Sequence, residues 1–263
     1  ERVAAAEYAK RRVLATATET RFGTFVHDPS HHRRIAATQL VDAELPSHAA
    51  AESPDESPAR AGVAKDTTVE ALLERLDSLY ERHAFGHRVV SGVDRETFAR
   101  LAPVLTERGY ERELYWALVP HRHQPSEYHE DLEIEAKSHG SEDARTVHEA
   151  VGRDPGAVAY AADVAQALDG TELVGYRGGN PVGVAGWYVH GEGNDAVARY
   201  THVGTHPEVS GEGVGSAMVS AVVEQCPLPR GRQVVCATEP NTGFYEQQGF
   251  TRNNYLWRFA KLP

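Results

Sequence analysis

A diverged internal repeat constrains the fold of this chain more than any other feature, because a repeat specifies the architecture of both halves at once. The two halves share four short segments in the same order, although the spacing between them shrinks in the second half. The pairs are 23–27 (GTFVH) with 186–190 (GWYVH), 37–40 with 200–203, 87–90 with 232–235 and 108–112 with 248–252. Four similarities in one order argue against chance and predict two related lobes.

Each half has the pattern of strands, an amphipathic helix, a strand, a second helix and a closing strand. Apolar residues recur at helical spacing from Val69 to Tyr80 and from Val214 to Val222, and we interpret both stripes as core packing. The second half also carries residues 131–169, which predict one strand and two helices. The first half has no counterpart to them, so either its own first elements lie upstream of Glu1 or that lobe is reduced. The pattern predicts an α+β fold.

Composition places the boundary between the lobes near residue 128. Residues 120–129 have linker composition, which gives a first lobe at 1–125 and a second at 129–263. Residues 46–66 are rich in Ser, Pro, Ala and acidic side chains and predict a disordered, solvated loop. The pairs His31 with His32 and His121 with His123 have no third ligand at a recognisable spacing. We therefore predict solvated segments there and no metal.

The charge balance limits the partners. With 38 acidic and 27 basic residues the net charge is −11, so the surface as a whole should repel nucleic acid. No stretch reaches the 18 consecutive apolar residues of a membrane span, and the first thirty residues are too rich in charge for a signal peptide. Cys226 and Cys236 have no metal spacing and are interpreted as core residues in a reducing cytosol. We expect a cytoplasmic protein without a membrane partner.

A Gly-rich segment follows a predicted strand and opens a predicted helix at residues 203–216 (VGTHPEVSGEGVGS). Several backbone N–H groups and the positive end of a helix dipole then point at one place, which suits a phosphate. A tight strand-to-helix turn would need the same glycines, so the loop alone leaves both interpretations open. A Walker loop is excluded because no Gly-Lys-Ser/Thr follows, and the dinucleotide pattern fails because Ser216 replaces its third glycine.

Two segments in register resemble the GNAT acyl-CoA N-acyltransferases. Residues 203–215 are similar to the fourth strand and pyrophosphate loop of that family, with its Q/R-x-x-G-x-G/A pattern, and residues 241–250 (NTGFYEQQGF) to its Asn-x-x-x-Tyr-x-x-x-Gly-Phe segment. The resemblance covers about residues 130–263 and reaches the first half only through the repeat. It implies tandem GNAT-like lobes, each a mixed, mostly antiparallel sheet flanked by helices, the first one degenerate.

The resemblance also implies site residues and an acyl donor, acetyl-CoA. Tyr245 would protonate the departing thiolate, although an aromatic packed between helix and sheet remains the alternative, and Asn241 would contact the arm of CoA. The backbone of Val203, Gly204 and Thr205 would pair with the pantetheine, and the backbone amides of the following turn would hold the pyrophosphate. Those amides belong to Gly211, Glu212, Gly213, Val214, Gly215 and Ser216.

The sequence departs from the family pattern in both halves. Ser210 stands where the family has Gln or Arg, and Glu212 would place a carboxylate beside the pyrophosphate. No general base is evident, and His202, His206 and Glu208 are interpreted as structural or solvated. In the first lobe Leu101 and Leu105 replace Asn241 and Tyr245, and the loop at 46–66 replaces the Gly-rich turn, which predicts a scaffold.

These observations lead to two hypotheses about function. The first is an N-acetyltransferase that moves an acetyl group from acetyl-CoA to an amine of a small molecule or a protein, by direct attack in a ternary complex and without a metal. The second is a catalytically impaired CoA-binding sensor or interaction module, favoured by Ser210, Glu212 and the missing base. The acceptor and the oligomeric state cannot be predicted from this sequence.

Overall fold

A computed structural model describes residues 2–28, 30, 35–45, 67–126 and 131–263. The predicted α+β architecture is confirmed, because helices flank strands that pair mostly antiparallel. The α-helices of this part of the chain are α1 (Arg2–Arg12), α2 (Thr67–Arg82), α3 (Arg95–Glu107), α4 (Glu142–Ala150), α5 (Pro155–Ala167), α6 (Val214–Gln225) and α7 (Glu239–Gln247). Its strands are β1 (Thr16–Thr20), β2 (Gly23–His27), β3 (Thr38–Val41), β4 (Arg88–Gly92), β5 (Glu111–Val119), β6 (Leu132–Lys137), β7 (Thr171–Arg177), β8 (Asn180–His190), β9 (Val197–Thr205), β10 (Gln233–Thr238) and β11 (Thr251–Lys261).

The chain forms two compact units that differ from the two predicted lobes. The larger unit contains residues 1–14 and 114–256, and the smaller unit contains 15–113 and 257–263. The helix α1, which precedes all the strands, belongs to the larger unit, where it packs against β8 and β9. Sequence analysis did not predict this helix.

The closing strands of the two lobes explain the difference, because each pairs with the other lobe's strand. Residues 115–118 of β5, the last strand of the first lobe, pair antiparallel with β10. Residues 257–261 of β11, the last strand of the chain, pair antiparallel with β4. A boundary near residue 128 therefore does not separate the compact units. Linker composition reports local polarity, whereas strand pairing is decided by partners distant in sequence.

The larger unit has the strand order β5-β10-β9-β8-β7-β6, in which β9 and β10 are parallel and the other neighbours are antiparallel. Helices α6 and α7 share one core cluster with residues such as Val222, Ala185 and Phe250. Val184, the residue before Ala185 on β8, belongs to a different cluster, in which it packs with Val147 of α4. Because successive strand residues point to opposite faces, α6 and α7 cover one face of this sheet and α4 covers the other.

The smaller unit has the strand order β1-β2-β3-β4, with residues 257–261 of β11 beside β4. The stripe predicted from Val69 to Tyr80 is confirmed as core, since Tyr80 is fully buried. Its hydroxyl accepts a hydrogen bond from the Val89 amide at 2.8 Å and lies 3.1 Å from the Thr38 carbonyl oxygen. This phenol therefore connects β3 and β4 beneath α2.

The segment that follows β5 differs from its prediction as a solvated linker. His123 is buried, with Nδ1 at 2.9 Å from the Gln248 carbonyl oxygen and Nε2 at 3.2 Å from the Ser220 hydroxyl. Both ring nitrogens have partners, so the imidazole is stable inside the larger unit. The loop at 46–66 and the pair His31 and His32 lie outside the described residues. In the part of the chain that is described, no helix has the length and hydrophobicity to cross a membrane.

Candidate active site

Strands β9 and β10 separate after a short parallel pairing. The pairing consists of Ala198 with Gln233 and Arg199 with Val234. Beyond it, β9 stays paired with β8 as far as Thr205, and β10 stays paired with β5. The two edges that face each other therefore carry backbone groups without a strand partner, which can bond the amides of an extended ligand.

A β-bulge lies on β9 at the start of this gap. One residue of β8, Gly186, opposes two residues of β9, Thr201 and His202. A Cβ on Gly186 would lie 2.4 Å from the Thr171 carbonyl oxygen, so the bulge requires glycine there. Bulges change the direction of neighbouring side chains and are frequent beside active sites.

A cavity of about 490 Å³ occupies the gap between the two strands. Several residues implied by the GNAT resemblance line it, including the backbone stretch 203–205, Gly215, Asn241 and Tyr245. The remaining turn residues, 211–214 and Ser216, are not among its lining. The opposite side of the cavity is formed by α1, through Glu7, Lys10 and Arg11, and by Arg153 and Arg199. The cavity thus joins the α6 and α7 side of the sheet to the α1 side.

The N-terminus of α6 has the geometry of an anion site. Gly211 and the N-cap Gly213 have φ values of 83° and 82°, in the left-handed region that favours glycine. No side chain caps the helix at Gly213, so the first-turn N–H groups remain available to a ligand. A Cβ on Gly215 would lie 3.1 Å from Thr205 Oγ1, which explains the third glycine.

The carboxylate of Glu212 is paired rather than free beside this turn. Arg177 of β7 donates to it through Nη1, and the Nε of the same guanidinium lies 3.0 Å from Asp131. The pair is partly exposed, so it contributes little to stability. It does offset the charge that Glu212 would otherwise present to a phosphate.

Helix α7 brings aromatic and amide groups to the cavity. Burial raises the pKa of Tyr245 to about 12, so its phenol is protonated at neutral pH and can donate a proton. Its ring packs edge-on against Phe250, with centroids 5.5 Å apart. Asn241, in the first turn of α7, donates to the Thr238 hydroxyl at 3.1 Å. Phe244 is 38% exposed at the cavity and lies beside Gly215.

The α1 side of the cavity is positively charged. Glu7 accepts hydrogen bonds from Arg11 at 2.8 Å and from Arg199 at 3.1 Å, so two cations share one carboxylate. Lys10 and Arg153 make no ion pair with any described residue. Burial lowers the pKa of Lys10 to about 8, despite attraction from Glu7, so this ammonium is mostly charged at pH 7.

His202 was interpreted from sequence as structural or solvated, and the structure places it in a buried cluster that also touches the cavity. Burial lowers its pKa well below the usual value, and repulsion from Arg153 and Lys10 acts in the same direction. The ring is therefore neutral at pH 7. At the turn before α6, His206 is instead partly exposed and Glu208 is exposed.

Sequence reasoning missed the residues that α1 contributes. Glu7, Lys10 and Arg11 lie about 190 positions before β9 in the chain, and α1 has a weak amphipathic pattern because its apolar residues are mostly alanine. Its only signal was the pair of basic residues Lys10 and Arg11 beside Glu7 in a chain that has few lysines.

Comparison with known proteins agrees with this geometry. The family model of the acetyltransferase (GNAT) domain matches residues 169–252, which run from β7 to the start of β11. No curated protein sequence matches the chain. The predicted recognition is confirmed for residues 169–252, which match the GNAT domain, and the fold is that of GCN5-related N-acetyltransferases of known structure.

Solved structures show the same fold over nearly the whole chain. A functionally unknown conserved protein from Staphylococcus epidermidis has a TM-score of 0.70 at 14% identity, with 97% of this chain and 96% of that chain covered. A GCN5-related N-acetyltransferase from Kribbella flavida has a TM-score of 0.66 at 16% identity, with 99% of this chain and 94% of that chain covered. A tandem GNAT protein from the clavulanic acid biosynthesis pathway has a TM-score of 0.54 at 16% identity, with 79% of this chain and 73% of that chain covered. The chain therefore has a tandem GNAT-like architecture.

Proposed function

We propose that the larger unit is an N-acetyltransferase that uses acetyl-CoA as its acyl donor. The observation that supports this most is the cavity between the separated strands β9 and β10, which is lined by Tyr245 and Gly215 on one side and by cations on the other. A thioester lying in such a gap would be reachable by an amine from the opposite side of the sheet.

The donor would be held by backbone groups. The first-turn amides of α6, at Gly213 to Ser216, are available for the pyrophosphate, and the free edge of β9 from Val203 to Thr205 can pair with the amides of the pantetheine arm. Gly215 leaves room for a close approach, since a Cβ there would already contact Thr205 and Phe244. Asn241 would contact the arm from α7.

The chemistry would be direct transfer. The nitrogen lone pair of a neutral amine attacks the thioester carbonyl carbon, the C–N bond forms, and the C–S bond breaks with its electron pair on sulfur. Tyr245 donates a proton to that sulfur and is reprotonated from water, and the amine releases a proton to water. A backbone amide near Thr205 would polarise the carbonyl. A buried, protonated phenol suits the role of acid.

We propose further that the acceptor amine carries an anionic group. In a chain with net charge −11, four cations and one carboxylate, Glu7, line the α1 side of the cavity; the cations are Lys10, Arg11, Arg153 and Arg199. Lys10 and Arg153, which have no ion-pair partner among the described residues, are available to a carboxylate or phosphate.

The smaller unit would act as a scaffold. Leu101 and Leu105, which the repeat aligns with Asn241 and Tyr245, are both fully buried in α3. Neither can contact a ligand in that position. A cytoplasmic location and the absence of a nucleic-acid partner stay predictions.

Thiol release from acetyl-CoA tests the proposal. Amino acids and polyamines would be compared, each carboxylated amine beside its uncharged amide. Turnover with at least one amine, faster for the anionic member of a pair, is the expected result. Tight acetyl-CoA binding by calorimetry without thiol release from any amine would favour the alternative, a CoA-binding sensor.

A further inference from the structure

Three ligating side chains meet on the α4 side of the larger unit's sheet. His148 comes from α4, Glu172 from β7 and His202 from the bulge of β9, and one donor atom of each lies within 4.8 Å of the other two. The Nε2 of His202 is 3.6 Å from Glu172 Oε1. The rings of His148 and His202 are 4.1 Å apart between centroids and inclined at 71°.

One nitrogen of each imidazole at this cluster is buried and makes no hydrogen bond. These atoms are His148 Nδ1, His202 Nε2 and Nε2 of His139, which lies on the loop before α4. The unbonded nitrogens are themselves buried, and His148 and Glu172 are only 3% and 4% exposed. Buried polar groups are normally satisfied, and several unsatisfied nitrogens around one carboxylate indicate a shared ligand.

We propose that His148, Glu172 and His202 bind a divalent transition-metal ion, with Zn²⁺ the best match to two imidazoles and one carboxylate. Three elements that are distant in sequence supply one ligand each, so the ion would join α4, β7 and β9. The donor set carries one negative charge and leaves a fourth position for water. Tetrahedral binding would require the three donor atoms, now within 4.8 Å of one another, to move closer to the ion.

Two features of the surroundings bear on affinity. Glu172 Oε2 accepts a hydrogen bond from the Gly140 amide at 3.2 Å, which orients the carboxylate as outer partners of metal ligands commonly do. Arg153 acts in the opposite direction, because its positive charge repels charge at both His148 and His202. Binding should therefore tighten when Arg153 is replaced by Gln.

Zinc binding to the full chain tests the site. The protein would be treated with EDTA, dialysed, and titrated with Zn²⁺ alone by calorimetry, and Co²⁺ would be added separately as a spectroscopic probe. We expect one Zn²⁺ per chain and the visible absorption bands of four-coordinate Co²⁺. His148→Gln and Glu172→Gln should each weaken Zn²⁺ at least ~100-fold, whereas His121→Ala, which removes an exposed imidazole, should leave affinity unchanged.

Thermal unfolding gives a second readout that does not depend on the variants folding equally well. Excess Zn²⁺ should raise the Tm of the parent, since a ligand of the native state stabilises it, and should raise that of His121→Ala equally. The same affinity and stoichiometry in the parent and in Glu172→Gln would overturn the proposal. So would a parent that binds no Zn²⁺, or whose Co²⁺ spectrum is that of the hydrated ion.

Discussion

Arg199 in β9 donates through Nε to Glu7 in α1 at 3.1 Å, and the side chains of the two residues are only 5% and 11% exposed. The pair joins the first helix of the chain to the strand that borders the cavity. Breaking a buried ion pair by removing one partner leaves an uncompensated charge, which is far more costly than losing an exposed pair.

Replacement of Glu7 by Gln should lower the free energy of unfolding by about 3–5 kcal/mol at pH 7. The matched control is Glu135→Gln, which removes the partner of an exposed pair with Lys137 in the same unit and should cost less than about 1 kcal/mol. Urea denaturation of both variants is the measurement. Equal effects would show that Glu7 contributes no more than a surface charge.

The same pair predicts a loss of stability in acid. Burial alone would raise the pKa of Glu7, but Arg199, Lys10 and Arg11 outweigh it and lower the pKa below the ordinary value of 4.5. The stabilisation is therefore fully present above pH 4.5 and is lost as the pH falls below that value. Denaturation curves at pH 6 and pH 3.5 should differ less in Glu7→Gln than in the parent.

Ser216→Asp should weaken acetyl-CoA binding without weakening the fold. A carboxylate in the first turn of α6 interacts favourably with the helix dipole when no ligand is bound, but it repels a phosphate at the same amides. Ser216→Asn is the matched neutral change. We expect calorimetry to show at least a ~10-fold weaker Kd for the aspartate variant alone, at low salt. Similar Kd values for the two variants would show that the pyrophosphate of acetyl-CoA does not bind at this turn.

Tyr245→Phe should reduce kcat by ~10²-fold or more, the usual effect of losing a positioned acid, while the Kd for acetyl-CoA changes little. Phenylalanine keeps the ring that packs on Phe250, so the variant removes only the hydroxyl. Thiol release under saturating acetyl-CoA is the assay. A kcat within a factor of about two of the parent would make Tyr245 a packing residue.

Lys10 should give acceptor binding its pH dependence. Because its pKa is lowered to about 8, the ammonium is charged below pH 8 and neutral above it, so KM for an anionic amine should rise as the pH passes that value. Lys10→Arg should abolish the rise, and Lys10→Met should raise KM by ~10-fold even at pH 7. An uncharged amine serves as the control, and its KM should be insensitive to either change.

The smaller unit should bind no donor of its own, so the chain is expected to bind one acetyl-CoA. Leu101 and Leu105 are buried where the second half has Asn241 and Tyr245. Equilibrium dialysis of the parent and of Ser216→Asp measures this directly. Two sites per chain, one of them unaffected by Ser216→Asp, would show donor binding by residues that the repeat does not identify.

The sequence predicted features that depend on local pattern and on short motifs. The Gly-rich segment with glycines at 211, 213 and 215 indicated a strand, turn and helix, because Gly211 and Gly213 adopt a backbone that few other residues adopt. The pattern of a strand, a second helix and a closing strand indicated α7, and the GNAT resemblance implied the roles of Asn241 and Tyr245 on it. The apolar stripe ending at Tyr80 predicted α2 and its buried face. The roles of these residues toward acetyl-CoA stay predictions.

Other features depend on pairing between distant segments and left no local signal. From the sequence, Glu212 looked like a charge that would repel phosphate, because its partner Arg177 lies on β7, 35 residues earlier in the chain. The pairing of β5 with β10 and of β11 with β4 joins strands from different lobes, and composition does not indicate which strands pair. The buried cluster of His148, Glu172 and His202 likewise assembles from three elements with no common spacing.

The exchanged closing strands have a consequence for synthesis on the ribosome. The edge of β4 is translated well over a hundred residues before its antiparallel partner at 257–261, and α1 is made long before β8 and β9, on which it packs. Neither unit is complete until residues near 256–263 have been made, because the larger unit extends to residue 256 and the smaller one includes 257–263. Contacts of such long sequence separation slow folding and leave strand edges exposed in the meantime. We therefore expect unpaired strand edges during translation, and dividing the chain near residue 127 would separate β5 from β10 and β4 from β11.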